Sequence, residues 1–121
     1  MQHAVINYIS INGISSEYLS VMDRGLHYGD GLFETIACVD GKLQFWNEHL
    51  ERMQRGAKQL GIEFTAIENF QHDVSNILEK YNTRNCIIKL ILTRGQSERG
   101  YRNPSPQKPT RLVFISNLPA Y

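Results

Sequence analysis

The sequence predicts an α+β domain in which two helices pack on one face of a mainly antiparallel sheet. Three observations lead to this prediction: strand-like segments open and close the chain, two helical segments lie between them, and a two-residue turn signal joins two of the strands. The 121 residues are enough for one compact domain with an ordinary core. This length therefore predicts a single domain over residues 1–121, and the sequence shows no internal repeat.

The first part of the chain is predicted to consist of two strands separated by an irregular segment. Residues 4–12 are rich in β-branched and aromatic side chains with partial alternation, and Gly13 marks the turn after them. Residues 14–30 are predicted to form a loop or an irregular segment. The apolar run at 32–39 predicts a second strand.

A hairpin and two later strands complete the predicted sheet. Asp40 and Gly41 form a dipeptide that favours a two-residue hairpin turn, so the segment 42–46 is predicted to return as a strand. Residues 85–93 are mostly apolar and suit a buried strand. A long loop at 94–110 leads to the predicted last strand at 111–116.

Two amphipathic segments between these strands predict the helices. The first begins at Asn47, which can cap a helix, and ends near Gly61, with an apolar stripe at Leu50, Met53, Ala57 and Leu60. Thr65 and Glu68 have the spacing of a capping box, and an apolar face follows them to about residue 81. Both helices are therefore expected to bury one face against the sheet.

Composition and charge exclude several classes of function. Lys and Arg number 13 against 12 Asp and Glu, so the net charge of +1 gives no electrostatic reason to expect nucleic acid or an anionic membrane as a partner. We find no secretory leader and no apolar run near the roughly 18 residues of a membrane span, which predicts a cytoplasmic location. Cys38 and Cys86 lie in apolar strands without metal-ligand spacing, so we expect reduced, buried thiols and no metal site.

The stretch DRGLHYGDGLFETI, residues 23–36, combines three glycines with several chemically capable side chains. One interpretation is a well-formed turn, because Gly permits tight backbone geometry and Asp30 can bond locally. The other interpretation is a functional site. A turn alone does not require the density of side chains found here, namely Arg24, His27, Tyr28, Asp30 and Glu34.

Arginines later in the chain also allow two interpretations. Arg52, on the first predicted helix, is either a solvated side chain or a donor aimed at a phosphate or carboxylate, which the planar guanidinium can bind through two N–H groups. His49, in the first turn of that helix, is interpreted as an exposed or half-buried side chain. The loop that carries Arg94 and Arg99 is either a surface excursion or an anion-binding lid.

Amine chemistry has few candidates in this sequence. The chain has five lysines, and Lys89 alone lies in a strongly apolar strand, where desolvation could lower its pKa. The alternation of that strand nevertheless favours the solvated face for Lys89. No Ser/His/Asp arrangement can be assembled from the spacing either.

Three segments in order, DRGLHYGDGLFETI, EHLERM and LTRGQSERGY, resemble the N-terminal domain of fold-type IV pyridoxal-phosphate enzymes. That family includes branched-chain and D-amino-acid aminotransferases and 4-amino-4-deoxychorismate lyase. The resemblance covers essentially the whole chain, and the order and spacing of three motifs make it more specific than any one alone. The loop that ends in Arg99-Gly100-Tyr101 is most similar to the lyase branch, although Gln96-Ser97-Glu98 departs from the more glycine-rich loop of that branch.

The resemblance assigns a role to four residues of this chain. It implies that Arg52 of EHLERM grips the phosphate of pyridoxal 5'-phosphate, and that Tyr28, beside the glycine turn, lines the substrate side of the site. Arg94 and Arg99 would face the carboxylates of the substrate. It assigns no catalytic residue here, because the lysine that forms the Schiff base lies in the larger C-terminal domain of the family. A homodimer is expected, since a loop of one small domain reaches the other subunit's cleft.

The resemblance therefore implies a function for a longer parent protein. That protein is expected to be a lyase that converts aminodeoxychorismate to 4-aminobenzoate, a folate precursor, and pyruvate. This chain is expected to be its small domain, inactive alone. One alternative is a branched-chain or D-amino-acid aminotransferase of the same fold type. Another is an anion-binding or assembly module without chemistry of its own.

Overall fold

The computed structural model describes residues 6–63, 67–97, 104 and 106–118, and it confirms the α+β fold class. The strands are β1 (Ile6–Ile11), β2 (Ile14–Ser15), β3 (Gly31–Val39), β4 (Lys42–Leu43), β5 (Cys86–Thr93) and β6 (Thr110–Asn117). The helices are α1 (Arg24–Tyr28), α2 (Trp46–Leu60) and α3 (Ile67–Tyr81). Thr65, the predicted cap of α3, lies outside the described residues.

The described strands form one sheet of six strands in the order β2-β1-β6-β5-β3-β4, and every neighbouring pair is antiparallel. β5 lies at the centre, with β3 paired along its length on one side and β6 on the other. The apolar run predicted as a buried strand is thus the central strand. Its neighbour β3 carries one of the functional side chains described below.

The core lies between one face of this sheet and the two long helices. Along β3 the burial alternates, so that Ile36 and Cys38 are completely buried while Phe33 on the opposite face is exposed. Met53 of α2 and Phe70 of α3 cover the buried face. The predicted layer of two helices on one face is therefore confirmed, with apolar burial as its driving force.

The hairpin turn is confirmed, but the returning strand is shorter than predicted. Asp40 and Gly41 have φ of 51° and 79°, the left-handed values that a type I′ turn requires. β4 ends at Leu43 rather than at residue 46, because Phe45 adopts φ 56° and turns the chain into α2. The prediction of a helix start capped by Asn47 was therefore wrong: α2 begins at Trp46 without a side-chain cap.

The prediction of an irregular segment over 14–30 was also wrong in part. That segment contains β2 and the short helix α1. Asp23 caps α1 by accepting a hydrogen bond from the Gly25 amide at 2.8 Å, and Gly29 ends the helix at φ 61°. One turn of helix is too short to show a 3.6-residue apolar period, so hydrophobic patterning could not reveal it.

Two sequence expectations about membranes and cysteines can be compared with the structure. None of the described helices is long and apolar enough to cross a membrane. Cys38 and Cys86 are buried free thiols in paired positions of β3 and β5, as expected. Burial, together with the neighbouring Cys38, raises the pKa of the Cys86 thiol to about 11.

Candidate anion-binding site

The candidate site is built on an acid that β3 directs into the protein. Glu34 shares the buried register of β3 with Ile36 and Cys38, and its side chain is only 5 % exposed. A carboxylate on an apolar face costs free energy unless it is hydrogen-bonded and paired with positive charge. Glu34 therefore requires partners from the helix packed above it.

Helix α2 supplies both partners from one face. His49 and Arg52 are three residues apart, a spacing that places both side chains on the same side of a helix. His49 Nδ1 lies 2.6 Å from Glu34 Oε1. Arg52 Nε donates to both carboxylate oxygens at 3.0 and 2.9 Å, and Nη2 donates to Oε1 at 2.6 Å.

These partners keep Glu34 ionised. Burial opposes ionisation of this carboxyl, but hydrogen bonds from Arg52 and His49, with the charge of Arg52, outweigh the burial and hold its pKa below the usual value. Bonding to Glu34 in turn raises the pKa of Arg52. Because an ionised carboxylate only accepts hydrogen bonds, His49 Nδ1 must carry the proton that it shares with Glu34.

One edge of the Arg52 guanidinium remains available. The Nε and Nη2 atoms form the edge bound to Glu34, and Nη1 makes no hydrogen bond within the part of the chain that the structure describes. The Arg52 side chain is 64 % exposed and borders an open cleft of about 350 Å³. The cleft is lined by Phe45, Glu48, His49, Arg52 and Arg55. The arrangement can bind an anion through the outer N–H groups of Arg52.

A second arginine cluster lies before β3. Asp30 accepts hydrogen bonds from Arg24 Nε at 2.8 Å and from Arg94 Nε at 2.8 Å. Arg94 also donates to two carbonyl oxygens at the end of α2, those of Leu60 at 2.6 Å and Gly61 at 2.9 Å. Arg94 thus joins the end of β5 to the start of β3 and to the C-terminus of α2.

The carboxylate of this second cluster is also kept ionised by its arginines. Burial opposes ionisation of Asp30, but bonds from Arg94 and Arg24 and their charges lower the pKa of its carboxyl overall. The Arg24 guanidinium lies over the ring of Tyr28, 4.6 Å from its centroid. Tyr28 is half-buried, and its position is set by α1 and by this contact.

The structure divides the predicted site residues between the two clusters. Tyr28 and Arg94 belong to the Asp30 cluster, whereas Arg52 belongs to the Glu34 cluster. Arg99 lies outside the described residues. Since Arg94 is already bonded to Asp30 and to α2, its contact with a substrate carboxylate stays a prediction.

Sequence reasoning gave no specific role to Glu34 or His49. A signal for Glu34 was present, because it shares the every-second-residue register of the buried apolar residues Ile36 and Cys38. His49 carried a weaker signal, its spacing of three residues from Arg52 on a helix. Neither pattern by itself shows that Glu34 of β3 faces His49 of α2.

The lysines do not line the cleft beside Arg52. All five lie in the described part of the chain, all are exposed, and none lines the cleft beside Arg52. Lys89 occupies the sheet face opposite the helices, with Nζ 4.7 Å from the centroid of the Phe33 ring. Its solvated position agrees with the alternation of β5.

Comparison with known proteins identifies the family. Residues 31–121 match the family described as amino-transferase class IV, and the chain belongs to that family. It is 37 % identical over 101 residues to a D-alanine aminotransferase from Staphylococcus epidermidis, a match that covers 82 % of this chain and 36 % of the relative. The residues matched by the family include Glu34, Arg52 and Arg94.

Two solved structures extend the comparison. The 4-amino-4-deoxychorismate lyase of Pseudomonas aeruginosa superposes with a TM-score of 0.84 and 35 % identity, over 93 % of this chain and 41 % of that one. The T.th. branched-chain amino acid aminotransferase with pyridoxamine 5'-phosphate gives a TM-score of 0.79 and 25 % identity, over 98 % of this chain and 42 % of that one. The chain thus spans about two fifths of the length of these relatives, and their names include both a lyase and aminotransferases.

Proposed function

We propose that this chain is the small domain of a pyridoxal-phosphate enzyme in which Arg52 binds the cofactor phosphate. The observation that carries the proposal is the outer edge of the Arg52 guanidinium, which faces an open cleft while Glu34 holds the other edge. A phosphate group suits these donors because guanidinium N–H groups bind two of its oxygens at once. A solved relative that contains pyridoxamine 5'-phosphate supports the same cofactor class.

The cofactor, when bound, supplies an electron sink for bonds at the α-carbon of an amino acid. The contribution of this chain is binding and orientation. Arg52 would hold the phosphate end, and Glu34 and His49 would fix Arg52. Since no lysine lines the cleft, we propose that the catalytic lysine and the remaining cofactor contacts come from a larger domain outside this chain.

We further propose that the parent enzyme is a 4-amino-4-deoxychorismate lyase, which forms 4-aminobenzoate for folate synthesis in the cytoplasm. Similarity to the solved lyase supports this choice, as does the basic loop that begins at Arg94. Tyr28, Arg94 and Arg99 are the proposed substrate contacts, because cationic and phenolic donors suit a substrate with carboxylates. A D-amino-acid or branched-chain aminotransferase is the alternative, and a named relative supports it.

The first experiment is an activity assay of the protein encoded by the complete reading frame that contains this chain. A lyase releases pyruvate and 4-aminobenzoate from aminodeoxychorismate without a second substrate. An aminotransferase instead forms a new amino acid from 2-oxoglutarate with D-alanine or a branched-chain amino acid. Release of 4-aminobenzoate together with pyruvate from aminodeoxychorismate, without a keto acid, supports the lyase. Formation of glutamate from 2-oxoglutarate without release of 4-aminobenzoate overturns it. Pyruvate alone does not decide the question, because D-alanine becomes pyruvate when it donates its amino group.

The isolated 121-residue chain provides a second test. We expect no lyase turnover from it, because we place the catalytic lysine elsewhere. Pyruvate release above background by the purified chain would contradict this division of roles.

A non-catalytic anion-binding module is the other candidate function, favoured by the combination of an available arginine edge with no lysine lining the described cleft. A reading frame that stops after Tyr121 would support it.

We also propose a homodimer, supported by apolar side chains exposed near α1 and on β3, such as Val21, Leu26 and Phe33. Sedimentation equilibrium of the complete protein tests this point.

A further inference from the structure

We propose that Glu34 is a positioning residue which holds the guanidinium of Arg52 so that its Nη1–Nη2 edge faces the cleft before any anion arrives. The inference rests on the proposed role of Arg52 and deepens it. It concerns how the chain achieves phosphate affinity, and it assigns a role to an acid whose negative charge would, taken alone, repel a phosphate.

The geometry of the contact supports this positioning role. Arg52 is anchored through two atoms, Nε and Nη2, on a carboxylate that is itself almost buried. Two bonds to a planar fork fix both the direction and the rotation of the guanidinium, whereas one bond would fix only the direction. The edge left over is the one that can take two oxygens of an anion.

Glu34 is itself fixed by a second residue of α2. His49 Nδ1 binds the same Oε1 atom that accepts from Arg52 Nη2, so the carboxylate is held from two positions of α2. The His49 side chain is only 18 % exposed, which limits the competition of water for this bond. The Glu34 carboxylate that holds Arg52 therefore has little freedom to rotate.

Glu34 has two opposing effects on the affinity of Arg52 for a phosphate. An arginine side chain loses much rotamer freedom when it is ordered on a ligand, and a clamp that orders it in advance removes that cost from binding. The negative charge of Glu34 opposes phosphate binding, but the Arg52 guanidinium lies between the two anions, and water and salt in the open cleft screen the repulsion. We therefore expect the positioning effect to be the larger one.

The positioning effect and the charge repulsion predict opposite changes in phosphate affinity when Glu34 is replaced. A binding experiment can therefore distinguish them. The probe is pyridoxamine 5'-phosphate, which has no aldehyde to react with the exposed lysines, and pyridoxamine without phosphate serves as the reference ligand. The measured quantity is the ratio of the two affinities, obtained from chemical shifts of the 121-residue chain in an NMR titration. For Glu34→Ala we expect this ratio to fall by roughly three- to tenfold. An unchanged or larger ratio overturns the positioning role.

Conservative variants refine the test. Glu34→Gln keeps an acceptor oxygen for Arg52 but removes the charge, so we expect a ratio within about threefold of the unmodified chain. If Glu34 acted only as a charge, Gln and Ala would both raise the ratio. His49→Ala should lower it less than Glu34→Ala. Arg84→Ala, an exposed arginine that does not line the cleft, is the control and should leave the ratio unchanged.

A spectroscopic readout decides the question even where Glu34→Ala does not fold. The Nε–H resonance of Arg52 should be protected from exchange with water in the unmodified chain, because this group is bonded to both oxygens of Glu34. It should stay protected when pyridoxamine 5'-phosphate is added. Loss of protection on binding would mean that the phosphate displaces Glu34, and would overturn the inference.

Arg52→Ala separates this inference from the proposed function. If that variant keeps the preference for the phosphate-bearing ligand, or if the unmodified chain shows no such preference, the phosphate site itself is wrong and the inference fails with it. If Arg52→Ala loses the preference while Glu34→Ala retains it, the phosphate site stands and the positioning role alone fails.

Discussion

In the described part of the chain, an arginine–carboxylate network lies on each side of the start of β3, and the two are built in opposite ways. In the Glu34 network the acid is buried and Arg52 is 64 % exposed. In the Asp30 network Arg94 is only 5 % exposed, and the acid is the more accessible partner. Similar bonds at similar distances thus place the positive charge at the surface in one case and inside the protein in the other.

The two arginines differ in how many of their N–H donors remain available to a ligand. Arg94 uses Nε, Nη1 and Nη2 on Asp30 and on the carbonyls that end α2. Arg52 uses one edge and keeps the other toward the cleft. The first arrangement connects three elements of the fold, and the second prepares a ligand contact. Among the described contacts, the bonds of Arg94 use four of its five N–H groups, whereas those of Arg52 use two and leave three for a ligand.

The largest expected effect is on stability, at Arg94. Arg94→Ala removes a buried charge that Asp30 and two helix carbonyls depend on, so we expect the free energy of unfolding to fall by about 3 kcal/mol or more. Urea denaturation followed by circular dichroism measures this change. Arg55→Ala, on the exposed side of α2, is the matched control and should shift stability by less than about 0.5 kcal/mol. An equally small effect of Arg94→Ala would remove the distinction between the two networks.

A smaller loss of stability is expected at Arg52. Because the Arg52 side chain is largely exposed, water can reach the space it leaves and hydrate Glu34, which also keeps its bond to His49. The same urea measurement should give less than half of the loss found for Arg94→Ala. A loss as large as that of Arg94→Ala would mean that Arg52 is mainly a structural residue.

The fold was largely predictable from the sequence because its main signals are local. The alternation of β3, the Asp40-Gly41 turn and the apolar stripe of α2 each depend on residues close together in the chain. The errors occurred where local signals are weak. Helix α1 has only five residues, and Phe45 adopts a left-handed conformation that aromatic residues rarely take.

The site was predictable only as separate residues. Arg52 and Arg94 carried motif and composition signals, and both were named. Their acids were not paired with them, because the contacts join residues 18 and 64 positions apart, and no single-sequence pattern reports which strand faces which helix. The contrast between an exposed and a buried arginine therefore required the structure.

Acid should weaken both networks. The pKa values of Glu34 and Asp30 are lower in the folded protein than in the unfolded chain. The stability that the two ionised carboxylates contribute is therefore complete above the ordinary pKa near 4. It is lost as the pH falls through the lower values of the folded state, because the unfolded chain then binds more protons. Glu34→Gln and Asp30→Asn should each flatten the decline of stability below about pH 4. The check is urea denaturation at a series of acidic pH values.

The smallest expected effect is the difference between the responses of the two networks to salt. Raising ionic strength from about 0.01 M to about 1 M shortens the Debye length from about 30 Å to about 3 Å, and this screening acts mainly on charges that water reaches. The affinity of the exposed Arg52 edge for pyridoxamine 5'-phosphate should therefore decrease over this range. The stability difference between Arg94→Ala and the unmodified chain should stay nearly constant, since the Arg94 bonds are buried. If both quantities decrease together, solvent reaches the two arginines equally, and the contrast drawn from their exposed fractions is wrong.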